Sequence, residues 1–245
     1  MKATFRYAAR ADLCDPERKR QITRALFSRI APHYDRVNRP LSLWRDQAWK
    51  RAVVRSLPAV ERPLCLDLAC GTGDLAFLLA RRYPAGRVLA LDLTEPMLHL
   101  ARRRSTFPNV AFVCADMACT GLPDRSVDLV TGAYALRHAP DLGATLDEIA
   151  RVLKPGGTAA FLDFSRPPSA AATWLQGAVL RVWGGAWGLL VHGKPALYAY
   201  LADSLDAFPD CPTLYRSLAA HGLPVTNSRG HFAGLLRTIL VRRTD

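Results

Sequence analysis

Four residues in one short stretch, LCLDLACGTGDLAFLLA, carry chemistry by type and spacing: Asp67, Gly71, Thr72 and Gly73. GTGDLA, Gly71 to Ala76, satisfies the pattern G-x-G-x-x-G/A. In such a turn glycines let the backbone approach a nucleoside-containing cofactor, and the following helix N-terminus favours a negative group. No Gly-Lys-Ser/Thr follows, which excludes a triphosphate-binding loop. Asp92 closes the next apolar run, RVLALDL, where one carboxylate can accept both hydroxyls of a ribose. Asp67 stands just before the turn, where a carboxylate opposes a pyrophosphate and suits an amino group or a sulfonium. Asp116, in CADM after a third apolar run, is placed to accept a hydrogen bond from an adenine amine.

The elements that must position these residues follow from periodicity. LCLDLA leads into a helix from about Gly73, RVLALDL into a helix through Met97 and Ala101, and NVAFVCA into a loop. VDLVTGAY precedes the helix LGATLDEIARVL, after which a turn LKPGG and the strand TAAFLDF follow. Alternating strands and helices predict an α/β fold: a Rossmann-like, doubly wound, mostly parallel sheet covered on both faces. Ahead of it, Ile22, Leu26, Phe27 and Ile30 mark one amphipathic helix, and WRDQAWKRAVVRSL marks a second that ends before Pro58 and Pro63. LPVTNSRG and LLRTILVRR read as a closing pair of strands. The organisation expected is one domain over residues 1–245: a basic helical cap at 1–60, a cofactor-binding core at 61–168, a helical lid at 169–219 and closing strands at 220–245.

Composition bounds the function classes. Half of the 245 residues are hydrophobic, so the chain folds and is no disordered tail. Six cysteines without CxxC spacing exclude a zinc framework, no metal is expected, and the thiols read as buried in a reducing compartment. The start offers no apolar run for a secretory signal, so the location expected is cytoplasmic. The most apolar window, Ala171 to Val191, is broken by Arg181 and dense in glycine, a poor membrane span. Of the formal net charge of +12, residues 1–62 hold +9, with 15 Lys/Arg against 6 Asp/Glu. That front end suits an anionic contact or a solubilising face, and both readings stay open.

DLACGTGD, taken with LPDRSVDLVTGAY and LDEIARVLKPGGTAAFLDF, resembles the class I S-adenosylmethionine-dependent methyltransferases. FSRIAPHYDRVNRPLSLWRDQAWKR, YALRHAPD, LDFSRP and ALYAYLADSLDAFPD extend the resemblance to the ubiquinone/menaquinone biosynthesis C-methyltransferases, over residues 22 to about 224. The resemblance implies S-adenosylmethionine as cofactor, bound through Asp67, Gly71, Thr72, Gly73, Asp92, Leu93, Asp116, Met117 and Ala133. It implies a lipophilic acceptor, a prenylated quinol, methylated on a ring carbon. Such a carbon is a feeble nucleophile until a neighbouring hydroxyl loses its proton. Arg137 matches the family's arginine and would stabilise the phenolate, while Tyr34 would position the ring. His138 stands where the family carries Asn and would act as a base near neutral pH. Ala133 replaces a small hydroxyl residue, Asp163 replaces a glutamate, and the carboxyl end departs from the family's ending. These departures keep a second acceptor class open, another aromatic or polyketide-like molecule. Leu180, Trp183, Trp187 and Leu190 share a helical face that would line a prenyl channel. TGAYALRH in place of an Asn-Pro-Pro-Tyr-type site argues against base methylation, and no nucleic-acid partner is expected; peripheral contact with the inner membrane face and a homodimer are left open.

Overall fold

A computed structural model describes residues 15–166, 174, 177, 178, 182, 204–231 and 234–245. The Trp-rich face and most of the expected lid lie outside the described residues.

Seven strands form one sheet in the order β3-β2-β1-β4-β5-β7-β6. They are β1 (Leu64–Leu68), β2 (Arg87–Asp92), β3 (Val110–Cys114), β4 (Val127–Ala133), β5 (Leu153–Phe164), β6 (Val225–His231) and β7 (Leu236–Arg242). The first five run parallel, and β7 is antiparallel to both β5 and β6. The expected closing pair is therefore present, and it supplies the reversed end of the sheet. β6, VTNSRGH, is polar and largely exposed, the composition that keeps an edge strand from pairing with other chains.

Around the sheet lie α1 (Pro16–Ile30), α2 (Tyr34–Leu41), α3 (Asp46–Ser56), α4 (Asp74–Arg82), α5 (Glu95–Arg104), α6 (Leu142–Val152) and α7 (Cys211–Ala220). Asp15 caps α1 through the amides of Glu17 and Arg18, with Pro16 opening the first turn. Asp141 and Asp210 cap α6 and α7 in the same way. Side chains of β1 alternate between two cores, as a strand's period of two demands. Leu66 and Leu68 join Leu146, Ile149, Leu214 and Leu218 on one face. Cys65 joins Trp49, Val53, Leu75 and Leu79 on the other. Truncating a side chain as enclosed as Leu66 costs about 2–5 kcal/mol.

Two expectations are corrected. LKPGG is no separate turn but the first half of β5, where the register slips between Val127↔Leu153 and Leu129↔Thr158. Gly156, at φ +71°, lies within this irregular stretch, where glycine is the residue that adopts such a backbone without strain. Among the thiols, Cys65 and Cys70 are buried, whereas Cys114 and Cys119 are exposed. No helix among the described residues is long and apolar enough to cross a membrane.

Candidate active site

The strand order reverses between β1 and β4, and at such a switch point the carboxyl ends of the strands open a crevice. A cleft occupies that place, lined by Tyr34, Lys50, Asp67, Ala69, Cys70, Gly71, Thr72, Asp74, Leu75, Ala133 and Tyr134.

Asp67, 1 % exposed near the end of β1, accepts a hydrogen bond from Thr131 Oγ1 at 2.8 Å. Its other oxygen, Oδ2, is buried with no hydrogen-bond partner among the described residues. Burial pushes this carboxyl up to about 7, against the pull of Thr131 and the Lys50 ammonium. An unpartnered carboxylate oxygen in such a place suits a cationic donor.

The turn after Asp67 is held from behind. Asp92 accepts the amides of Gly71 and Thr94, each at 2.8 Å, one on each oxygen. Each oxygen keeps a lone pair for a further donor. Burial raises the Asp92 carboxyl and these amides partly offset the rise. Gly73, at φ +92°, caps α4, and a Cβ there would meet the Phe77 ring at 2.6 Å. Glycine is needed at that position on both counts. Thr72 Oγ1 donates to Asp35 at 2.8 Å, and Arg104 spans Asp35, the Thr72 carbonyl and Asp74 at 2.7–3.0 Å.

The opposite wall comes from the amino-terminal helices. Lys50 Nζ sits 2.6 Å from Asp46 and 3.1 Å from Asp74. Burial works against its charge, and the two carboxylates overcome burial, so its pKa is raised. Tyr134 Oη donates to Asp46 Oδ1 at 2.9 Å, and Gln47 donates to Asp74 at 2.6 Å. Burial raises the Tyr34 phenol, with Lys50 pulling it back.

Behind Tyr134 lies a buried cation. Arg137, 3 % exposed, stacks over the Phe164 ring at 4.5 Å and pairs with Asp163 at 3.8 Å. Its Nη2 contacts His138 Nε2 at 3.2 Å, while Nε and Nη1 have no hydrogen-bond partner among the described residues. Buried guanidinium donors left open are expensive unless a ligand fills them. His138 is fully enclosed, edge-on to Phe27, and burial followed by the Arg137 charge drives its pKa well below the ordinary imidazole value.

Of the residues singled out by sequence, Tyr34, Asp67, Gly71, Thr72 and Ala133 meet in the cleft. Asp92 reaches it through the Gly71 amide, and Gly73 caps α4 between the lining residues Thr72 and Asp74. Arg137 and His138 do not line it; they lie behind Phe164, whose ring packs on Tyr134 at 5.9 Å. Leu93 is half-buried, and Met117 sits in the core beside the sheet. Asp116 is engaged by Arg20 of α1, whose Nε donates at 2.6 Å. Sequence reasoning missed Asp46, Lys50, Asp74 and Tyr134 as site residues. The i,i+4 spacing of Asp46 and Lys50 was the available signal for one pair.

The sheet order, the glycine turn and the acidic pair Asp67 and Asp92 define a class I S-adenosylmethionine-dependent methyltransferase fold. The sequence matches the ubiE/COQ5 methyltransferase family over residues 16–239, and the chain belongs to that family. It is 41 % identical over 192 residues to the 2-phytyl-1,4-naphtoquinone methyltransferase of Thermosynechococcus vestitus, covering 78 % of this chain and 85 % of that one. It is 39 % identical over 206 residues to the demethylmenaquinone methyltransferase of Thermus thermophilus, covering 82 % of this chain and 92 % of that one. Among solved structures, the geranyl diphosphate C-methyltransferase of Streptomyces coelicolor A3(2), bound to S-adenosyl-L-homocysteine, shares the fold. Its TM-score is 0.61 at 14 % identity, over 80 % of this chain and 79 % of that one.

Proposed function

We propose that the protein transfers a methyl group from S-adenosylmethionine to a ring carbon of a prenylated demethylquinol. The observation that carries the reading is Asp67 Oδ2, a buried carboxylate oxygen of the cleft with no hydrogen-bond partner among the described residues. It suits the amino group of the cofactor. The cofactor supplies an electrophilic methyl on a sulfonium. Asp92 takes the ribose hydroxyls on its remaining lone pairs, and the Gly71–Gly73 turn with the start of α4 faces the carboxylate. Asp116, Met117, Leu93 and Ala133 flank the base, with Asp116 shared between Arg20 and the adenine amine. Tyr34 positions the acceptor ring.

Arg137, set behind the cleft with Nε and Nη1 open, stabilises through an ordered water the phenolate that forms when the quinol loses a proton. His138, held neutral by its surroundings, serves this step by accepting from Arg137 rather than by taking the proton itself. Relatives named for demethylmenaquinone and phytyl-naphthoquinone support the acceptor class. The test is to incubate the protein with methyl-labelled cofactor and chemically reduced demethylmenaquinone in detergent, then read the lipid fraction by mass spectrometry. Label on a ring carbon is the expected result. Label only on soluble phenols or polyketide-like aromatics would replace the acceptor.

A further inference from the structure

The reaction needs somewhere for the quinol proton to go, and the candidates in and around the cleft are few. Asp67 faces the cofactor side, and His138 lies behind the cleft with its basicity suppressed. Tyr134 remains. It lines the cleft beside Tyr34 and Lys50, and its hydroxyl donates to Asp46 at 2.9 Å. A phenol that donates in one direction keeps its oxygen lone pairs for a donor from another. Asp46 is 7 % exposed, and its second oxygen is held by Lys50 at 2.6 Å.

The backbone marks the same residue. Tyr134 has φ +59°, a conformation that bulky side chains rarely adopt. It is held there from three sides: its amide donates to the Leu162 carbonyl at 2.6 Å, its hydroxyl to Asp46, and its ring packs on Phe164. Strain sustained by surrounding contacts clusters where a side chain must be aimed.

Resting on the quinol reading above, we propose that Tyr134 and Asp46 form a proton relay that ionises the acceptor. The quinol O–H proton passes to Tyr134 Oη as the tyrosine's own proton passes to Asp46 Oδ1. The electron pair left on the quinol oxygen enters the ring, the ring carbon bonds the methyl, and the sulfur keeps the pair of the broken bond. The methylated carbon then gives its proton to water, and the pair from that C–H bond restores the aromatic ring. The relay runs backward to return the first proton to oxygen. One proton is released overall, and the relay is reset.

The forward step moves one negative charge from Asp46 to the new phenolate at the expense of part of the Lys50–Asp46 attraction, and the Lys50 ammonium, still paired with Asp74, stays in the same cleft. The titratable and charged groups around the dyad are Lys50 and Tyr34 from the amino-terminal helices, Asp67 of β1, Asp74 of α4 and Asp163 of β5. Tyr134 is the catalytic member, and Asp46 and Lys50 act through it as positioning residues.

The experiment compares wild type, Tyr134→Phe and Asp46→Asn on two reduced acceptors. One is demethylmenaquinol, and the other is a halogenated analogue whose hydroxyl is already ionised at the assay pH. Cofactor affinity is read separately by calorimetry and folding by circular dichroism. Tyr134→Phe is expected to lose about 100-fold in kcat on the first acceptor and less than about threefold on the second, the range of a lost general base. Its cofactor affinity stays at the wild-type value. For Asp46→Asn, kcat on the first acceptor follows that acceptor's own ionisation, rising about tenfold per pH unit. Equal losses on both acceptors, or no loss on the first, would overturn the relay while wild-type transfer leaves the quinol reading intact. A wild type that methylates neither quinol overturns the acceptor reading, and the relay with it.

Discussion

The two walls of the cleft are built by different means. The wall we assign to the cofactor is backbone: a strand end, a turn of two glycines at positive φ, and a helix start, all within Asp67 to Asp74. The wall we assign to the acceptor is side chains brought together from far apart, as in Tyr134 on Asp46, 88 positions away. A contiguous backbone device tolerates change around it but not within it. A side-chain assembly depends on the helices that carry it, so each of its members can be altered with the cofactor turn left standing.

That contrast sets what substitutions should do. The largest effect is expected at Arg137. Arg137→Gln removes the buried positive charge proposed to stabilise the phenolate and should lower kcat by about 100- to 1,000-fold in steady-state kinetics, with the cofactor dissociation constant unchanged. A loss of cofactor binding in that variant would merge the two walls into one. Within the turn, Gly73→Ala places a methyl against Phe77 at a left-handed position. It should destabilise the fold by about 1–3 kcal/mol in denaturant titration and weaken cofactor binding as well.

Asp67 offers a gentler probe. Its carboxyl sits near 7, so an approaching ammonium finds it half protonated at neutral pH. Cofactor affinity should fall about fivefold from pH 7 to pH 6, and Asp67→Asn should bind more weakly with that slope removed, both by calorimetry. The sign is opposite for stability. The folded protein holds this proton more tightly than the unfolded chain, whose carboxyl titrates near its ordinary value of about 4. Asp67 protonation therefore favours folding at low pH, a contribution lost as pH rises from about 4 through 7.

The smallest effect is expected at Arg20, whose pairing with Asp116 ties α1 to the loop after β3 from a partly exposed position. Arg20→Ala should change stability by no more than about 1 kcal/mol in thermal melts.

How much of this was legible in the sequence follows the same division. The cofactor wall reads directly, because its spacing is local and each glycine has a conformational reason at its own position. The strand alternation gave the sheet, and the polar composition of VTNSRGH matches its place at the edge. The acceptor wall reads poorly. Arg137 and His138 could be picked out, but not that one packs over Phe164 and the other is shielded from water. Lys50 looked like one more charge on a basic front end, since its two carboxylates come from its own helix and from α4. LKPGG looked like a turn because proline and glycine usually punctuate, and tertiary pairing with β4 carried the strand through it.

One measurement tests the separation of the two walls most directly. Asp92→Ala and Arg137→Gln would be compared side by side, by cofactor affinity and by single-turnover methyl transfer at saturating cofactor. The expected results cross. Asp92→Ala loses affinity about 100-fold yet transfers within about fivefold of the wild-type rate once loaded, because ribose contacts bind ground and transition states alike. Arg137→Gln binds normally and fails to transfer. Two variants that lose affinity and transfer rate together would contradict the account.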